Sequence, residues 1–331
     1  MLNWSSLPKP IVCLSPMADM TDSAFCQVVR EVTAEHKERF KTVPYTHDDL
    51  VVFREMVSAE AVVRGSERTL GMTDIHPAER PLVQQIFGSD PATMAAAAEK
   101  IAAEHHPEGF DINMGCPVYK IVHNFNGAAL MKEPELAANI VKEMKKVISV
   151  PLSVKIRLGW SDPRDCLTFV KVLEDAGVDL LTIHGRTKTQ GYSGVADWNM
   201  VGEAKKQVSI PVLCNGDIHK PELVAQALEQ SQADGVLIAR GALGNPWFFS
   251  QYQEIASGKT PEPISLEERV RVVQRHLDLH LAQYGESAVS TFRKHLSWYF
   301  KGIPNFKQYK EPMMTAKTRE GLSAILDEIV K

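Results

Sequence analysis

Short apolar runs rich in β-branched residues recur eight times along the first 241 residues of the chain. Apolar runs of this length, bounded by turn residues, are typical of strands. Most positions within a run are apolar, rather than every second one, which predicts strands that are buried on both faces. The eight predicted strands are Ile11–Ser15, Val51–Val57, Pro81–Gly88, Phe110–Cys116, Leu152–Gly159, Leu180–Arg186, Val212–Ile218 and Gly235–Gly241.

Segments with helical character separate these runs. The clearest begins with Asp90 as a predicted N-cap and a proline in the first turn, a combination that is typical of helix starts. The predicted helices are Pro91–Glu104, Pro134–Ile148, Pro163–Ala176 and Pro221–Glu229. Strand–helix alternation repeated eight times predicts an α/β fold, a (β/α)₈ TIM barrel of roughly 250 residues.

The pattern changes after about residue 260. Pro261–Pro263 is typical of a linker, and Ser265 followed by Glu268 predicts a capped helix start. No strand pattern follows, so we predict a barrel domain over 1–260 and a small C-terminal all-helical domain over 264–331. The second segment has 11 Lys and Arg against 8 Asp and Glu, a net charge of +3, so residues 1–263 carry −7 of the total of −4.

Cations and aromatic residues interleave in the helical segment, around Arg293, Lys294 and Trp298. This combination suits contacts with phosphates and stacking on bases. An ordinary amphipathic helix with aromatic core residues explains the same composition, and composition alone favours that interpretation.

Polar side chains interrupt the apolar runs mainly at their C-terminal ends. In a parallel barrel these ends meet at one face, where active sites lie. Each of two neighbouring runs has two basic residues that are two positions apart and therefore lie on the same face of the strand. Such pairs suit an anionic or electron-rich ligand. The residues are Ser15, Met17, Glu55, Gln85, Asn113, Lys155, Arg157, His184, Arg186, Asn215, Asp217 and Arg240.

The ends of the last two runs predict a phosphate site. Asn215-Gly216-Asp217 lies near the end of the seventh run, and Ala239-Arg240-Gly241 ends the eighth. Glycines allow close approach of backbone N–H groups to phosphate oxygens, and Arg240 adds positive charge. Each motif alone is also a common turn.

Cys116 follows the fourth run, after a glycine and before Pro117. A thiol just past a strand end is suited to chemistry, although a buried structural cysteine is an equal alternative on this run alone. The five cysteines have no spacing typical of zinc sites, and we predict no metal site. Unpatterned cysteines and the lack of a signal peptide predict a cytoplasmic protein. No apolar run is long enough for a membrane span.

Taken in order along the chain, the motifs resemble those of the tRNA-dihydrouridine synthases, most closely the bacterial branch that includes nitrogen-regulation-like homologues. The resemblance extends over nearly the whole chain. It is carried by Ser15–Met20, Thr21–Phe25, Glu55–Ala59, Gln85–Pro91, Asp111–Val118, Val154–Arg157, His184–Thr187, Asn215–Ile218, Ala239–Gly241 and Arg293–Tyr299.

The resemblance implies an FMN enzyme that reduces uridine in tRNA, with NADPH or NADH as a transient reductant. It implies that Cys116 is the general acid, that Asn113 and Arg186 hold the target base, and that Arg293 and Lys294 contact tRNA. A monomer with no stable protein partner is expected. The implied cofactor residues are Pro16, Met17, Ala18, Gln85, Lys155 and His184 at the flavin ring, and Asn215, Gly216, Asp217, Ala239 and Arg240 at the phosphate.

Two segments depart from the family pattern. Thr33–Asp49 is long and charged and predicts a surface insertion, and His123-Asn124-Phe125 replaces a loop that usually has more Lys and Gly. Three alternatives to the uridine reductase remain open from the sequence. They are a small-molecule flavin dehydrogenase, an aldolase with a Schiff base at Lys155, and an RNA-binding module without catalysis.

Overall fold

Eight parallel strands pair in sequence order and close into a barrel in the structure, a computed structural model that describes residues 2–35, 50–304 and 306–331. The predicted TIM barrel is confirmed. Residues 36–49 of the predicted insertion lie outside the described residues. The strands are β1 (Ile11–Leu14), β2 (Val52–Ser58), β3 (Leu82–Phe87), β4 (Gly109–Met114), β5 (Leu152–Arg157), β6 (Leu180–His184), β7 (Val212–Asn215) and β8 (Gly235–Ile238).

Seven of the eight strands end one to three residues earlier than the predicted runs. The last residues of these runs, such as Cys116, Arg186 and Asp217, lie in the loops that follow the strands. β7, for example, ends at Asn215, and the next residue, Gly216, has a φ of +111° that no strand residue adopts. The strand ends therefore supply the loop residues that form the mouth of the barrel.

The barrel closes between β1 and β8, where Ile11 lies opposite Gly235. A Cβ at position 235 would lie 2.0 Å from the Ile11 carbonyl oxygen, so this contact requires glycine. Below the mouth, Trp4 stacks on Phe53 with ring centroids 5.9 Å apart and fills the opposite end of the barrel. Apolar side chains thus fill this end of the barrel interior, which leaves the C-terminal ends of the strands as the place for a functional site.

Helices surround the barrel and join the strands. Asp90 caps α4 as predicted, since its carboxylate accepts a hydrogen bond of 2.8 Å from the Thr93 N–H. The helices between strands are α1 (Ser23–Glu35), α2 (Ala59–Val63), α3 (Glu67–Gly71), α4 (Pro91–His105), α5 (Tyr119–Val122), α6 (Pro134–Val147), α7 (Asp165–Asp175), α8 (Trp198–Lys205), α9 (Leu223–Ser231) and α10 (Phe248–Ala256).

Four helices follow the barrel: α11 (Leu266–Tyr284), α12 (Val289–Tyr299), α13 (Lys307–Thr315) and α14 (Arg319–Ile329). Their apolar core includes Val28 and Val32 of α1, so the helices pack directly on the barrel. Arg269 fixes the contact by donating hydrogen bonds to the carbonyls of Gly244 (3.1 Å) and Tyr299 (2.9 Å). No helix in the described part of the chain is long and apolar enough to cross a membrane.

Candidate active site at the mouth of the barrel

The loop after β4 is shaped by the side chain of Asn113. Its Oδ1 accepts hydrogen bonds from the backbone N–H groups of Gly115 (3.2 Å) and Cys116 (2.9 Å). Its Nδ2 donates to Gln85 Oε1 on the neighbouring strand at 2.9 Å. The amide that ends β4 therefore sets the backbone position of Cys116.

A buried carboxylate supports this amide from below. Asp111 accepts hydrogen bonds of 2.6 Å from both Gln85 Nε2 and Ser153 Oγ. Burial raises the pKa of the Asp111 carboxyl to about 6, although both hydrogen bonds oppose the rise. Ser153, Asp111, Gln85 and Asn113 thus form one hydrogen-bonded row from β5 across to the Cys116 loop.

The Cys116 thiol is half-buried, whereas the other four cysteines are buried. Burial raises the pKa of the Cys116 thiol, and smaller effects from the Val118 backbone and the charges of Arg157 and Lys155 oppose it. A thiol whose pKa is raised keeps its proton at neutral pH. Cys116 is therefore suited to donate a proton rather than to attack as a thiolate.

Lys155 lies opposite Asn113 in the register of β4 and β5. Burial, and then the charge of Arg157, lower the pKa of the Lys155 ammonium to about 8. Its Nζ makes no hydrogen bond or ion pair with any residue that the structure describes. A half-buried cation with three unused donors can serve a bound ligand.

Arg157, two residues further along β5, differs from Lys155 because its donors form hydrogen bonds with neighbouring loops. Its guanidinium donates hydrogen bonds to the carbonyls of Gly115 (2.8 Å), Thr187 (3.1 Å) and Gly191 (2.8 Å). It also lies 5.5 Å from the ring centroid of the exposed Tyr192. Arg157 therefore holds the loops after β4 and β6 together beside Cys116.

On the opposite side of the mouth, the charged residues pair with each other. Arg186 forms an ion pair of 2.6 Å with Asp217 and donates to the carbonyls of Ser193 (3.1 Å) and Gly194 (2.7 Å). Asp217 also lies 3.5 Å from the half-exposed Arg240 guanidinium. Burial opposes ionisation of Asp217, but the hydrogen bond from the Ala196 N–H, followed by the contacts with Arg186 and Arg240, lowers its pKa, so this carboxyl is ionised.

The turn between β7 and α9 is closely packed. A Cβ on Gly216 would lie 2.9 Å from Ala196 Cβ and 3.1 Å from the His184 ring, so the turn has room only for glycine. Asn215 Nδ2 donates to the Leu237 carbonyl at 2.7 Å. Burial, followed by the charge of Lys155, holds the pKa of His184 well below its usual value, and the imidazole is therefore neutral.

The β1–α1 turn forms another part of the rim. Met17 N–H donates to Thr21 Oγ1 at 2.8 Å, and Asp19 N–H donates to Glu55 Oε2 at 2.6 Å. Pro16 and Met17 are half-buried and Ala18 is exposed. The turn is thus fixed by internal hydrogen bonds.

Arg293 and Lys294 lie on α12, outside the barrel mouth. Arg293 Nη2 donates to the Ala316 carbonyl at 2.8 Å, which links α12 to the end of α13. Lys294 Nζ lies 3.9 Å from the buried carboxylate of Asp22 at the start of α1. Both side chains therefore have internal contacts besides their exposed parts.

Comparison with known proteins decides the family. The dihydrouridine synthase family matches residues 13–331. The chain belongs to the dihydrouridine synthase family. It is similar to a probable tRNA-dihydrouridine synthase of Rickettsia bellii, with 35% identity over 90% of this chain and 88% of the relative. It is also similar to tRNA-dihydrouridine synthase B of Pasteurella multocida, with 35% identity over 91% of this chain and 87% of the relative.

The fold is also similar to that of an old yellow enzyme homologue from Zymomonas mobilis. The TM-score is 0.51 at 12% identity, over 78% of this chain and 91% of the other. At this identity the similarity supports the barrel fold alone. Membership of the dihydrouridine synthase family, together with the names of its relatives, makes the chain a tRNA-dihydrouridine synthase. This excludes the three alternatives: a small-molecule flavin dehydrogenase, an aldolase and an RNA-binding module without catalysis.

The sequence interpretation did not single out Asp111 or Tyr192. Asp111 is two residues before Asn113 and therefore on the same face of β4, which is the signal that could have identified it. Tyr192 lies in a loop, with the guanidinium groups of Arg157 and Arg240 5.5 and 5.4 Å from its ring centroid. No spacing in the sequence indicates that convergence.

Proposed function

We propose that this oxidoreductase reduces uridine in tRNA to 5,6-dihydrouridine, with FMN as cofactor and NADPH or NADH as transient reductant. The observation that carries the proposal is the pairing, on adjacent strand ends, of a half-buried protonated thiol, Cys116, with an ammonium group, Lys155, that has no partner in the described chain. The Cys116 thiol can donate a proton, and the Lys155 ammonium can stabilise negative charge that develops on a bound ligand. The family and the names of the relatives give the substrate class.

The residues at the ends of β7 and β8 fit the phosphate of FMN. Gly216 has no side chain that could cover its backbone N–H, and the half-exposed Arg240 can turn toward an anion. Asp217 reduces the local positive charge, since it pairs with Arg186 and Arg240. The proposed phosphate residues are Asn215, Gly216, Asp217, Ala239 and Arg240.

The residues closer to the barrel axis fit the flavin ring. Lys155 offers unused donors to an electron-accepting ring edge, and the neutral His184 can contact the ring without adding charge. Gln85 already bonds Asp111 and Asn113, so its orientation is fixed before a ligand arrives. The proposed ring residues are Pro16, Met17, Ala18, Gln85, Lys155 and His184.

Reduction of the uracil C5=C6 bond requires a hydride at C6 and a proton at C5. FMN held by the residues named above would supply the hydride after its reduction by the nicotinamide. Cys116 holds the proton on Sγ, and we assign to it the delivery to C5. General acids of this kind contribute typically about 10²–10⁴ in rate. Negative charge develops on the uracil O4, and a cation or amide donor close to it lowers the barrier.

Asn113 and Arg186 are the proposed contacts of the target base. The donors of both side chains form hydrogen bonds with protein atoms in this structure, so contact with a base requires them to share or exchange those bonds.

The two segments of the chain have different proposed roles. We propose that residues 1–260 form the catalytic FMN-binding domain and that 264–331 bind tRNA through Arg293 and Lys294. A monomer is the proposed assembly.

The test is reduction of an unmodified tRNA transcript by the purified chain with FMN and NADPH, followed by mass spectrometry of the nucleosides. We expect dihydrouridine at a defined position, and none when the nicotinamide is left out. A flavin-loaded, nicotinamide-reducible enzyme that forms no dihydrouridine in any tRNA would contradict the proposal.

A further inference from the structure

Four polar side chains are buried together where the C-terminal helices meet the barrel. Asp22 precedes α1, His276 and His280 lie on α11, and His295 lies on α12; each is at most 2% exposed. One potential ligand atom from each of Asp22, His276 and His295 lies within 4.8 Å of the other two. No role in the proposed uridine reduction involves this buried cluster.

Local structure brings these residues together. His276 and His280 are four residues apart on α11 and therefore project from the same helix face. Asp22 Oδ1 accepts a hydrogen bond of 3.0 Å from the Phe25 N–H at the start of α1, which fixes the carboxylate. The ring centroids of His276 and His295 are 4.5 Å apart. The cluster is thus held by three helices.

The hydroxyl of Thr291 bears on the tautomer of His280. Thr291 Oγ1 lies 2.8 Å from the Ala288 carbonyl oxygen and 2.8 Å from His280 Nε2, so a hydroxyl that donates to the carbonyl accepts from Nε2. In a neutral imidazole, Nδ1 then has a lone pair. That nitrogen has no hydrogen-bond partner among the described residues and lies 3.7 Å from Asp22 Oδ2, which also has lone pairs. Two acceptors that face each other repel unless a proton or a metal ion lies between them.

The other two histidines also leave buried nitrogens unused. His276 Nε2 and His295 Nε2 have no hydrogen-bond partner in the described chain. His276 Nδ1 lies 3.1 Å from the Tyr299 hydroxyl. A hydrogen bond to one ring nitrogen is how ligating histidines are oriented so that the other nitrogen binds the metal. Burial of such atoms without a partner is costly, so each calls for an explanation.

We propose that Asp22, His276 and His295 bind a divalent transition-metal ion of the Zn²⁺ type, with His280 as the fourth ligand. Imidazole nitrogens and one carboxylate are a donor set that zinc accepts in four-coordinate sites. Metal–ligand bonds of about 2.0–2.1 Å at a tetrahedral angle place ligand atoms roughly 3.3 Å apart. The 3.7 Å between Asp22 and His280 is close to this value and longer than a hydrogen bond.

One group opposes a cation: Lys294 Nζ lies 3.9 Å from Asp22 Oδ2. Its side chain is 31% exposed, so the ammonium can turn toward solvent.

The bound ion would have a structural role. All four side chains are buried, so no coordination position faces solvent, as in closed structural zinc sites. The ion would join α11 and α12 to Asp22. The residue before it, Thr21, accepts a hydrogen bond from the Met17 N–H through its hydroxyl. It would thereby connect the helical segment to the β1–α1 turn at the barrel mouth.

The test is titration of the full-length, chelator-treated protein with Co²⁺, followed in visible difference spectra, and then with Zn²⁺. We expect saturation at about one Co²⁺ per chain, intense bands typical of four-coordinate nitrogen and oxygen ligands, and displacement of Co²⁺ by Zn²⁺. Asp22→Asn and His295→Gln should bind at least tenfold more weakly. Zn²⁺ should raise the unfolding temperature of the wild type by on the order of 5 °C.

Two further variants make the test decisive even if the ligand variants fold poorly. His106→Asn removes an exposed histidine at the end of α4, outside the cluster, and should bind Co²⁺ like the wild type. Lys294→Met removes the competing cation and should bind Co²⁺ several-fold more tightly. Lack of a saturable Co²⁺ band in the wild type, or equal affinity in all variants, would overturn the proposal in favour of a proton on His280. Uridine reduction is not part of this readout, so the two proposals fail independently.

Discussion

The two sides of the barrel mouth differ in how their charged side chains are satisfied. On the β4–β5 side, formed by Asn113, Cys116 and Lys155, the ammonium has no hydrogen-bond or ion-pair partner among the described residues, and the thiol is half-buried. On the β6–β8 side, formed by Arg186, Asp217 and Arg240, each charge pairs with another. Groups that are buried without a partner are costly unless a ligand uses them. The difference supports our proposal that the chemistry takes place at the β4–β5 side, whereas the β6–β8 side binds the phosphate of the cofactor.

The largest effect is expected from Cys116→Ala. Loss of the general acid should lower the rate of dihydrouridine formation by about 10²–10⁴, whereas flavin binding and nicotinamide oxidation should persist. The measurement is dihydrouridine per tRNA against time. Cys166→Ala, which changes a buried cysteine at the start of α7, is the matched control and should keep the wild-type rate. Equal loss in both variants would assign the effect to folding.

Lys155→Met should weaken flavin binding by about 10–100-fold, because a hydrogen bond to a charged group contributes about 1.5–3 kcal/mol. The pH dependence sharpens this prediction. The ammonium has a lowered pKa of about 8, so its charge is present below that pH and is lost as the pH rises through it. Flavin affinity of the wild type should fall from pH 7 to pH 9. The same titration should be flat for Lys155→Met, and a fall in both proteins would assign the dependence to another group.

The double variant Arg293→Ala, Lys294→Ala tests whether the helical segment contributes attraction for tRNA. Each lost phosphate contact should flatten the salt slope of tRNA binding by about 0.7–0.9, with flavin reduction by nicotinamide retained. Lys142→Ala with Lys171→Ala, two exposed cations on α6 and α7, is the matched control and should keep the slope.

Arg293 also bonds the Ala316 carbonyl, so thermal unfolding must accompany that measurement. Lys294→Ala alone keeps this hydrogen bond and should still lower the slope by one contact. An unchanged slope in a folded double variant would make α12 an element that only packs on the barrel.

The smallest effect is expected from Arg240→Ala. The guanidinium is half-exposed and already lies near Asp217, so its contribution to phosphate binding is screened by water. We expect flavin affinity to fall by about two- to fivefold, measured by fluorescence titration, and to return toward the wild type with Arg240→Lys. Lys206→Ala, an exposed cation just after α8, should leave the affinity unchanged. A loss larger than that of Lys155→Met would reverse the comparison of the two sides.

The barrel could be predicted because its signals are local. Apolar runs and capped helix starts such as Asp90 each depend on neighbours a few residues apart. In a parallel barrel the C-terminal ends of all strands lie at one face, so the positions of Cys116, Lys155 and Arg240 near these ends could be predicted as well. Strand limits were less accurate, since the runs continue into loop residues, and the pattern does not show that β7 ends at Asn215, before the positive φ of Gly216.

Contacts between distant segments could not be predicted. The row from Ser153 to Asn113 depends on the registers of β3, β4 and β5, which periodicity does not determine. Asp22 and His276 are separated by nearly the whole barrel, so no spacing links them. The pairing of Arg186 with Asp217 is of the same kind, and the sequence therefore could not show which cations of the mouth have partners.

The central claim, that the β4–β5 side performs the chemistry, is tested most directly by single-turnover oxidation of the reduced enzyme by tRNA. The rate is measured at saturating flavin for the wild type, Cys116→Ala and Arg240→Ala. We predict a decrease of at least about 100-fold for Cys116→Ala and of less than about fivefold for Arg240→Ala. A Cys116→Ala rate close to that of the wild type, or a larger loss for Arg240→Ala, would contradict the account.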